Sequence, residues 1–199
     1  MSEITNIVLS GVGGQGSVSA SRVIARAVVL SGLQVSTSEV HGMAQRGGSV
    51  FSTVRFGTEV YSPVIPEGEA QYLLGFELLE AVRYLSFLEP GGVAVVSDQR
   101  IMPTIEALRL APYPADVESL IRNRAGRAIF VPGLQMASQL GNPKLANSVL
   151  LGALSAFLEI GGDAWRQALS ELTPPNTVEL NLRAFEDGVS YAREHTQAS

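Results

Sequence analysis

The sequence contains no cysteine among its 199 residues, and this absence removes several kinds of chemistry at once. Without thiols the chain can form no disulfide, offers no thiolate nucleophile and supplies no cysteine ligands to an iron–sulfur cluster. If the protein takes part in electron transfer through such a cluster, another polypeptide must therefore carry it.

An excess of positive charge and a long apolar run are also lacking. The 14 Lys and Arg against 19 Asp and Glu give a net charge of −5, so we expect no nucleic-acid partner and only a local anion site. The apolar stretch at residues 149–158 is too short to cross a bilayer as a helix. Glu3 stands where a signal peptide would carry positive charge, and we therefore expect a cytoplasmic protein.

A glycine-rich motif, GVGGQGS, occupies residues 11–17. It follows an apolar run at residues 7–9, which predicts a strand, and leads into residues 18–30, which predict a helix that Gly32 would end. Such a β-loop-α opening directs backbone N–H groups at an anion and favours a phosphate or pyrophosphate. The alternative is that the glycines serve only the tight packing of the strand against the helix. Three glycines match the dinucleotide spacing G-x-G-x-x-G: Gly11, Gly13 and Gly16.

The next segments decide how far the dinucleotide hypothesis can be taken. Residues 34–38 predict a second strand that ends at Glu39, an acid in about the position where the fingerprint expects one. Residues 49–56 then alternate as a strand, with a turn at residues 57–58 and a partner strand at residues 60–65. No helix separates the second strand from this hairpin, so the sheet is expected to be mixed and the dinucleotide hypothesis weakens.

The rest of the chain alternates strands and helices. Further strands are predicted at residues 72–74, 93–97 and 128–131, and helices at residues 78–88, 115–124, 135–140, 145–158, 165–172 and 178–194. The fold class expected is α/β: one three-layer domain over residues 1–199, with a mixed, mostly parallel sheet, a Rossmann-like opening and then a β-hairpin.

A second ligand-competent segment, HGMAQRGGSV, occupies residues 41–50. Arg46 precedes two glycines, and its planar guanidinium can give a phosphate or carboxylate two parallel charged hydrogen bonds. The alternative is an arginine that pairs with a surface acid. Because this segment follows the second strand, it is expected at the same sheet edge as the glycine-rich loop.

No catalytic or metal-binding constellation stands out in the sequence. His41 and His195 are the only histidines, and His41 is expected to be structural rather than a general base. Glu77, Glu80 and Arg83 are spaced as a helix start with a solvated ion pair. The pattern predicts binding rather than catalysis by this chain alone.

Four segments in the same order resemble the gamma-type subunit of the 2-oxoacid:ferredoxin oxidoreductases. They are GVGGQG at residue 11, EVHGMAQRGGSV at residue 39, LLGFELLEAVRYL at residue 73 and GNPKLANSVLLGAL at residue 141. The resemblance covers about residues 4–160, as the core of the gamma-type domain, with C-terminal helices over residues 161–195. Within the family it is nearest to the small, or beta, subunit of the indolepyruvate branch.

The resemblance implies a complex that oxidatively decarboxylates a 2-oxoacid, joins the acyl group to coenzyme A and reduces ferredoxin. The substrate implied is indolepyruvate or another aryl pyruvate, with pyruvate or a different 2-oxoacid as the alternative. Thiamine diphosphate, magnesium and iron–sulfur clusters are implied in a large alpha subunit, and two copies of this chain could also pair. An NAD-dependent dehydrogenase and a stand-alone ligand-binding regulator remain the alternatives of other classes.

The resemblance also implies that this chain helps bind coenzyme A. The sequence identifies no catalytic residue, and no residue is expected to hold a metal. The expected coenzyme A contacts are Gly11, Gly13, Gly14, Gln15, Gly16 and Ser17 in the first loop, Arg46, Gly47, Gly48 and Ser49 in the second, and Asn147 on a late helix.

Overall fold

The computed structural model describes residues 4–41, 47–102 and 112–196, which contain six strands and seven α-helices. The strands are β1 (Thr5–Val12), β2 (Gln34–His41), β3 (Ser49–Gly57), β4 (Ala70–Gly75), β5 (Leu88–Ser97) and β6 (Arg127–Val131). The helices are α1 (Ser17–Leu30), α2 (Leu78–Arg83), α3 (Val117–Arg124), α4 (Gly133–Gln139), α5 (Ala146–Ser155), α6 (Gly162–Leu172) and α7 (Val178–Thr196).

All six strands form one sheet in the order β2-β3-β1-β4-β5-β6. β1, β4, β5 and β6 pair in parallel, whereas β3 runs antiparallel to both of its neighbours, β1 and β2. The prediction of a mixed, mostly parallel sheet is therefore confirmed. β3 runs antiparallel to β2 because the connection between them contains too few residues for the crossover that a parallel pair would need.

The predicted hairpin between residues 49–56 and 60–65 is wrong, because both edges of β3 are already paired with β1 and β2. Residues 60–65 form no strand, and Pro63 has no N–H to give to a ladder. This segment instead crosses the face of the sheet. Arg55 donates hydrogen bonds to the carbonyls of Ser62 and Val64, and Thr53 donates to the carbonyl of Pro63.

Helices cover both faces of the sheet, which confirms the three-layer arrangement. Ile7 and Leu9 point toward a core shared with α1, α4, α5, α6 and α7, here called the five-helix face. Val8, between them, points the other way, toward α2 and α3 on the two-helix face. Successive side chains of a strand alternate between faces, so a strand covered on both sides is apolar throughout.

Some predicted helices are shorter in the structure. The helix expected over residues 78–88 ends as α2 at Arg83, is followed by a short 3₁₀ turn, and gives way to β5 at Leu88. The turn expected at residues 90–92 is an irregular stretch within β5, where the register with β4 shifts. The helix expected over residues 145–158 is α5, which ends at Ser155.

The C-terminal helix α7 packs directly on α5 through a close backbone crossing. A Cβ atom added at Gly188 would lie 2.0 Å from the carbonyl oxygen of Val149, and one added at Gly152 would lie 1.9 Å from that of Phe185. Ala184 and Phe185 on α7 belong to the same buried cluster as Leu151 and Leu154 on α5. The last helix is thus part of the core on the five-helix face.

Candidate functional site

The candidate site lies at the edge of the sheet where β1, β2, β4, β5 and β6 end and β3 begins. The two segments singled out in the sequence meet there. The amide of Gly13 donates to the carbonyl of Gly48 at 2.7 Å, and the amide of Gly47 donates to the carbonyl of Gly13 at 3.3 Å. Arg46 and the residues 42–45 before it lie outside the described part of the chain, as does the side chain of His41.

The glycines of the first loop have different structural roles. Gly11 is the penultimate residue of β1, and a Cβ atom there would approach Cβ of Phe76 to 2.9 Å. Gly14 and Gly16 have φ of 101° and 83°, in the left-handed region. Glycine adopts this region without steric cost, so the chain can turn sharply from β1 into α1.

Gln15 acts as an internal brace of the site. Its Oε1 accepts from the amide of Val12 at 2.7 Å, while Nε2 donates to the carbonyl of Phe76 at 2.8 Å and to Oε1 of Gln99 at 2.9 Å. One side chain therefore ties the glycine-rich loop to the residues that follow β4 and β5. The same side chain has little hydrogen-bonding capacity left for a ligand.

Asn147, near the start of α5, supports the loop from the other side. Its Nδ2 donates to the carbonyl of Gln15 at 2.8 Å. Gly16 lies against the same carboxamide, since a Cβ atom there would be 2.3 Å from Nδ2. Gly16 is thus required both by its positive φ and by the space that Asn147 occupies.

The N-terminus of α1 makes the glycine-rich loop suitable for binding an anion. Gly16 caps this helix without a side-chain hydrogen bond, and its carbonyl accepts from the amide of Ala20 at 3.0 Å. Ser17, the first helical residue, is 2% exposed, and the first turn contains no acid. The first N–H groups of a helix have no partner within it, and the helix dipole places positive potential there.

A cavity of about 470 Å³ opens beside this helix end. Gly14 and Gly16 form one side of it, and Ser97, the last residue of β5, forms another with Gln99. Lys144, the only lysine in the chain, also lines it and is exposed. Sequence reasoning missed Lys144 as a site residue, although it lies only three residues before Asn147; its uniqueness in the chain was the available signal.

The second segment is anchored from the two-helix face. Ser49 Oγ donates to Oε2 of Glu80 at 2.5 Å and lies 3.2 Å from the hydroxyl of Tyr84. Tyr84 in turn stacks on Phe51 with ring centroids 4.5 Å apart. The hydroxyl of Ser49 therefore points into the protein, away from the cavity beside Gly14.

Glu77 and Glu80 are buried rather than solvated as the sequence predicted, at 1% and 7% exposure. Glu77 Oε2 accepts from the amide of Glu80 at 2.8 Å and so caps α2, while Oε1 accepts from the hydroxyl of Tyr113 at 2.7 Å and the amide of Ile101 at 3.1 Å. Burial and the Glu77 carboxylate raise the pKa of Tyr113 well above its usual range. The hydroxyl thus stays protonated and remains a donor.

Glu39 is not in the position that a dinucleotide site requires. It is exposed on β2, accepts from the hydroxyl of Ser21 at 3.2 Å, and is separated from β1 by the whole of β3. In a dinucleotide-binding βαβ unit the second strand lies beside the first, which brings the acid to the ribose. The interposed strand argues against an NAD site here.

The described side chains suit binding more than bond making. Within residues 4–41, 47–102 and 112–196 no group of three His, Asp or Glu is placed to hold a metal ion. No helix of the same ranges is both long and apolar enough to span a membrane. What the edge offers chemically is a set of amide donors, one lysine and an open cavity.

Comparison with known proteins assigns this arrangement to a family. The pyruvate ferredoxin/flavodoxin oxidoreductase family matches residues 6–191. Subunit IorB of the indolepyruvate oxidoreductase from Thermococcus kodakarensis is 37% identical over 194 residues, which cover 95% of this chain and 96% of that protein.

Two solved structures have a similar fold. The gamma subunit of a keto/oxoacid ferredoxin oxidoreductase from Geobacter sulfurreducens PCA superposes with a TM-score of 0.71 at 25% identity, covering 96% of this chain and 99% of that one. A 2-oxoglutarate:ferredoxin oxidoreductase from Magnetococcus marinus, with 2-oxoglutarate, coenzyme A and succinyl-CoA bound, superposes with a TM-score of 0.75 at 23% identity, covering 96% of this chain and 31% of that one. The chain therefore belongs to the pyruvate ferredoxin/flavodoxin oxidoreductase family, as a small subunit of a 2-oxoacid ferredoxin oxidoreductase.

Proposed function

We propose that this chain binds coenzyme A at the described sheet edge and presents it to a larger subunit that carries out the oxidative decarboxylation. The observation that carries the proposal is the glycine-rich loop, whose helix end opens onto a cavity also lined by Lys144. Amide donors, a helix N-terminus and a lysine together favour a phosphorylated ligand. A neighbour of similar fold was solved with coenzyme A bound, which supports this choice of ligand.

In this proposal the residues named from the sequence, together with Lys144 from the structure, divide into two groups. Gly14, Gly16 and Ser17 would offer backbone N–H groups to a phosphate, and Arg46 with Lys144 would supply positive charge. Gly11, Gly13, Gln15, Gly47, Gly48, Ser49 and Asn147 would act by holding the loops in place. Bound coenzyme A would supply the thiol that takes up the acyl group; this chain would orient it.

The larger subunit is expected to hold the redox and thiamine chemistry. A thiolate-ligated iron–sulfur cluster needs cysteines, which this chain lacks, so the clusters, thiamine diphosphate and magnesium are proposed for that partner. In this proposal ferredoxin accepts the electrons from the complex. The complex is proposed to lie in the cytoplasm. The pairing of two copies of this chain within the complex is also part of the proposal.

The unique lysine allows a direct test of the ligand site. An amine-selective acylating reagent applied to the purified chain should label Lys144, and saturating coenzyme A should reduce that labelling by about tenfold when followed by peptide mass spectrometry. Desulfo-coenzyme A should protect equally, because the proposed contacts are with phosphates. Labelling that coenzyme A leaves unchanged would contradict the site.

Titration of the assembled complex tests the two cations separately. If each makes a desolvated charged hydrogen bond to a phosphate, Lys144→Ala or Arg46→Ala should weaken the binding of coenzyme A by about 1.5–3 kcal/mol, which lowers the affinity roughly ten- to a hundredfold. Arg193→Ala, which removes one exposed charge from α7, is the matched control. An Arg46 that only pairs with a surface acid would change stability by about 0–1 kcal/mol and leave the affinity alone.

The substrate proposed is indolepyruvate or another aryl pyruvate, because the matched relative at 37% identity is an indolepyruvate oxidoreductase subunit. Co-purification with the large subunit, followed by a dye-reduction assay, measures kcat/KM for indolepyruvate and for pyruvate in the presence of coenzyme A. A large preference for pyruvate would overturn this assignment. Oxidoreductase activity of the lone chain with NAD would overturn the wider proposal.

A further inference from the structure

The contact between α2 and the start of β3 centres on the buried carboxylate of Glu80. Its Oε2 accepts from Ser49 Oγ at 2.5 Å, and its Oε1 accepts from Nε of Arg83 at 3.3 Å. Arg83 has a side chain 55% exposed, so solvent weakens that ion pair. The contact with Ser49 is the closer of the two, at 2.5 Å against 3.3 Å, and its donor is the less exposed side chain.

The hydroxyl of Ser49 is fully used by this contact. A serine hydroxyl has a single proton, and Ser49 gives it to Glu80; the Tyr84 hydroxyl at 3.2 Å must then donate to Ser49 Oγ. Ser49 therefore has no hydroxyl proton left for a ligand phosphate. Any influence it has on the site must act through its position.

That position determines where the neighbouring backbone lies. Ser49 directly follows Gly48, whose carbonyl accepts from the amide of Gly13 in the glycine-rich loop. Ser49 also pairs with Val12 as the first step of the β1–β3 ladder. Glu80 is thus connected to the glycine-rich loop through two residues and a backbone hydrogen bond.

We propose that Glu80 is a positioning residue of the candidate ligand site: through Ser49 it holds residues 47–49 against the glycine-rich loop. The inference rests on the proposed coenzyme A site for its functional consequence. A carboxylate serves this purpose because it accepts strongly while buried, and Gln is the nearest neutral side chain that can still accept from Ser49. Alanine cannot accept a hydrogen bond and would free Ser49.

Amide hydrogen exchange on the assembled complex tests the positioning without using activity. Glu80→Ala and Ser49→Ala should each speed exchange of the amides at residues 47–50 by about tenfold, whereas Glu80→Gln should stay within about twofold of the native rate. Glu118→Ala, which removes an exposed carboxylate from α3, is the charge-matched control. Should Glu80→Ala fail to fold, Ser49→Ala and Glu80→Gln decide the question.

Steady-state kinetics of the same complexes test the consequence for the ligand. KM for coenzyme A should rise about tenfold in Glu80→Ala with kcat within about twofold, and the double variant with Ser49→Ala should be no worse than Glu80→Ala. The proposal would be overturned if folded variants exchanged the amides of residues 47–50 at the native rate. It would also be overturned if the effects of Glu80→Ala and Ser49→Ala on KM were additive, or if Glu80→Gln raised KM as much as Glu80→Ala. If the native complex were active without coenzyme A, the proposed coenzyme A site would be wrong. The hydrogen-exchange result would still decide whether Glu80 positions residues 47–49.

Discussion

The two faces of the sheet bury different chemistry. On the five-helix face the core is mainly hydrocarbon and aromatic, with Trp165 at 1% exposure beside Phe185 at a centroid distance of 5.5 Å, and the buried polar pair of Ser148 and Asn181 is uncharged. On the two-helix face two carboxylates, Glu77 and Glu80, are buried within the core of α2, β4 and β5. Both faces belong to one sheet, yet among the residues that the structure describes only the two-helix face contains buried acids.

The two faces are stabilised by different means, and both border the site, since Asn147 on α5 lines the cavity from the five-helix face. Apolar burial stabilises in proportion to the area removed from water, whereas a buried carboxylate costs desolvation unless every oxygen is satisfied. Glu77 accepts from the amide of Ile101, which lines the cavity, and Glu80 accepts from Ser49, which follows Gly48 at the contact with the glycine-rich loop. The buried acids therefore organise the edge at which the ligand is proposed to bind.

The largest effect on stability is expected from Trp165→Ala on the five-helix face. Removing this buried ring should lower the free energy of unfolding by about 3–5 kcal/mol, because the helices around it cannot close the cavity. Urea denaturation gives the value, with Leu172→Ala, at a position 47% exposed, as the control. A loss below about 1 kcal/mol would show that the face repacks.

Glu77→Ala should cost less in stability, about 2–3 kcal/mol, by leaving several buried donors without an acceptor. Those donors are the amides of Glu80 and Ile101 and the hydroxyl of Tyr113. Burial and the carboxylate both raise the pKa of Tyr113, so the variant should lower that pKa, which ultraviolet difference titration detects. If Glu77→Gln lowered the free energy of unfolding as much as Glu77→Ala, the loss would come from packing rather than from missing hydrogen bonds.

Gly16→Ala tests the edge without touching either core. The left-handed φ of 83° should cost about 1–2 kcal/mol, and the methyl group would displace Asn147 from the carbonyl of Gln15. Gly32→Ala is a close control, since φ is 78° and nothing lies within 4 Å of the added Cβ atom. Calorimetry should show a larger destabilisation in Gly16→Ala, because it adds the displacement of Asn147 to the cost of the positive φ, and weaker coenzyme A binding only in that variant.

The smallest effect is expected at the exposed pair of Arg26 on α1 and Glu171 on α6, both 37% exposed. The hydrogen bond from Arg26, with one from Gln167, lowers the pKa of Glu171 to about 2. A depressed carboxylate pKa stabilises the fold above the unfolded pKa of about 4.3, and the benefit is lost as the pH falls toward the folded value.

Melting curves of the native chain and Glu171→Gln between pH 6 and pH 3 test this linkage. The native chain should melt slightly higher at pH 6, and the difference in melting temperature should narrow as the pH falls, because the unfolded carboxylate takes up a proton below about pH 4.3 while the folded one keeps its charge down to about pH 2. High salt should reduce the gap at pH 6. A gap that widens toward low pH would reverse the sign and contradict the assignment.

Several features were predictable because the signal is local. The β-loop-α opening, the end of α1 near Gly32 and the antiparallel β3 all follow from residue type and spacing over short stretches. The resemblance based on residues 11–16, 39–50, 73–85 and 141–154 is confirmed by the family that matches residues 6–191. The hairpin prediction failed because strand alternation does not say which neighbour a strand will pair with.

The brace of Gln15, the burial of Glu77 and Glu80, and the placement of Lys144 were not predictable from the sequence. Gln15 contacts Phe76 and Gln99 across 61 and 84 residues of chain, and Asn147 contacts Gln15 across 132. Glutamates three residues apart on a short helix are ordinarily exposed, and only the packing of β3 and Tyr113 against α2 buries these two.

The sequence by itself determined the local geometry: glycines that permit positive φ, apolar runs that become strands covered on both faces, and the absence of thiols. The tertiary structure decided which loops meet and which polar groups lose water. The physical reason is that backbone preference acts within a few residues, whereas burial and hydrogen-bond satisfaction depend on atoms that folding brings together from distant parts of the chain.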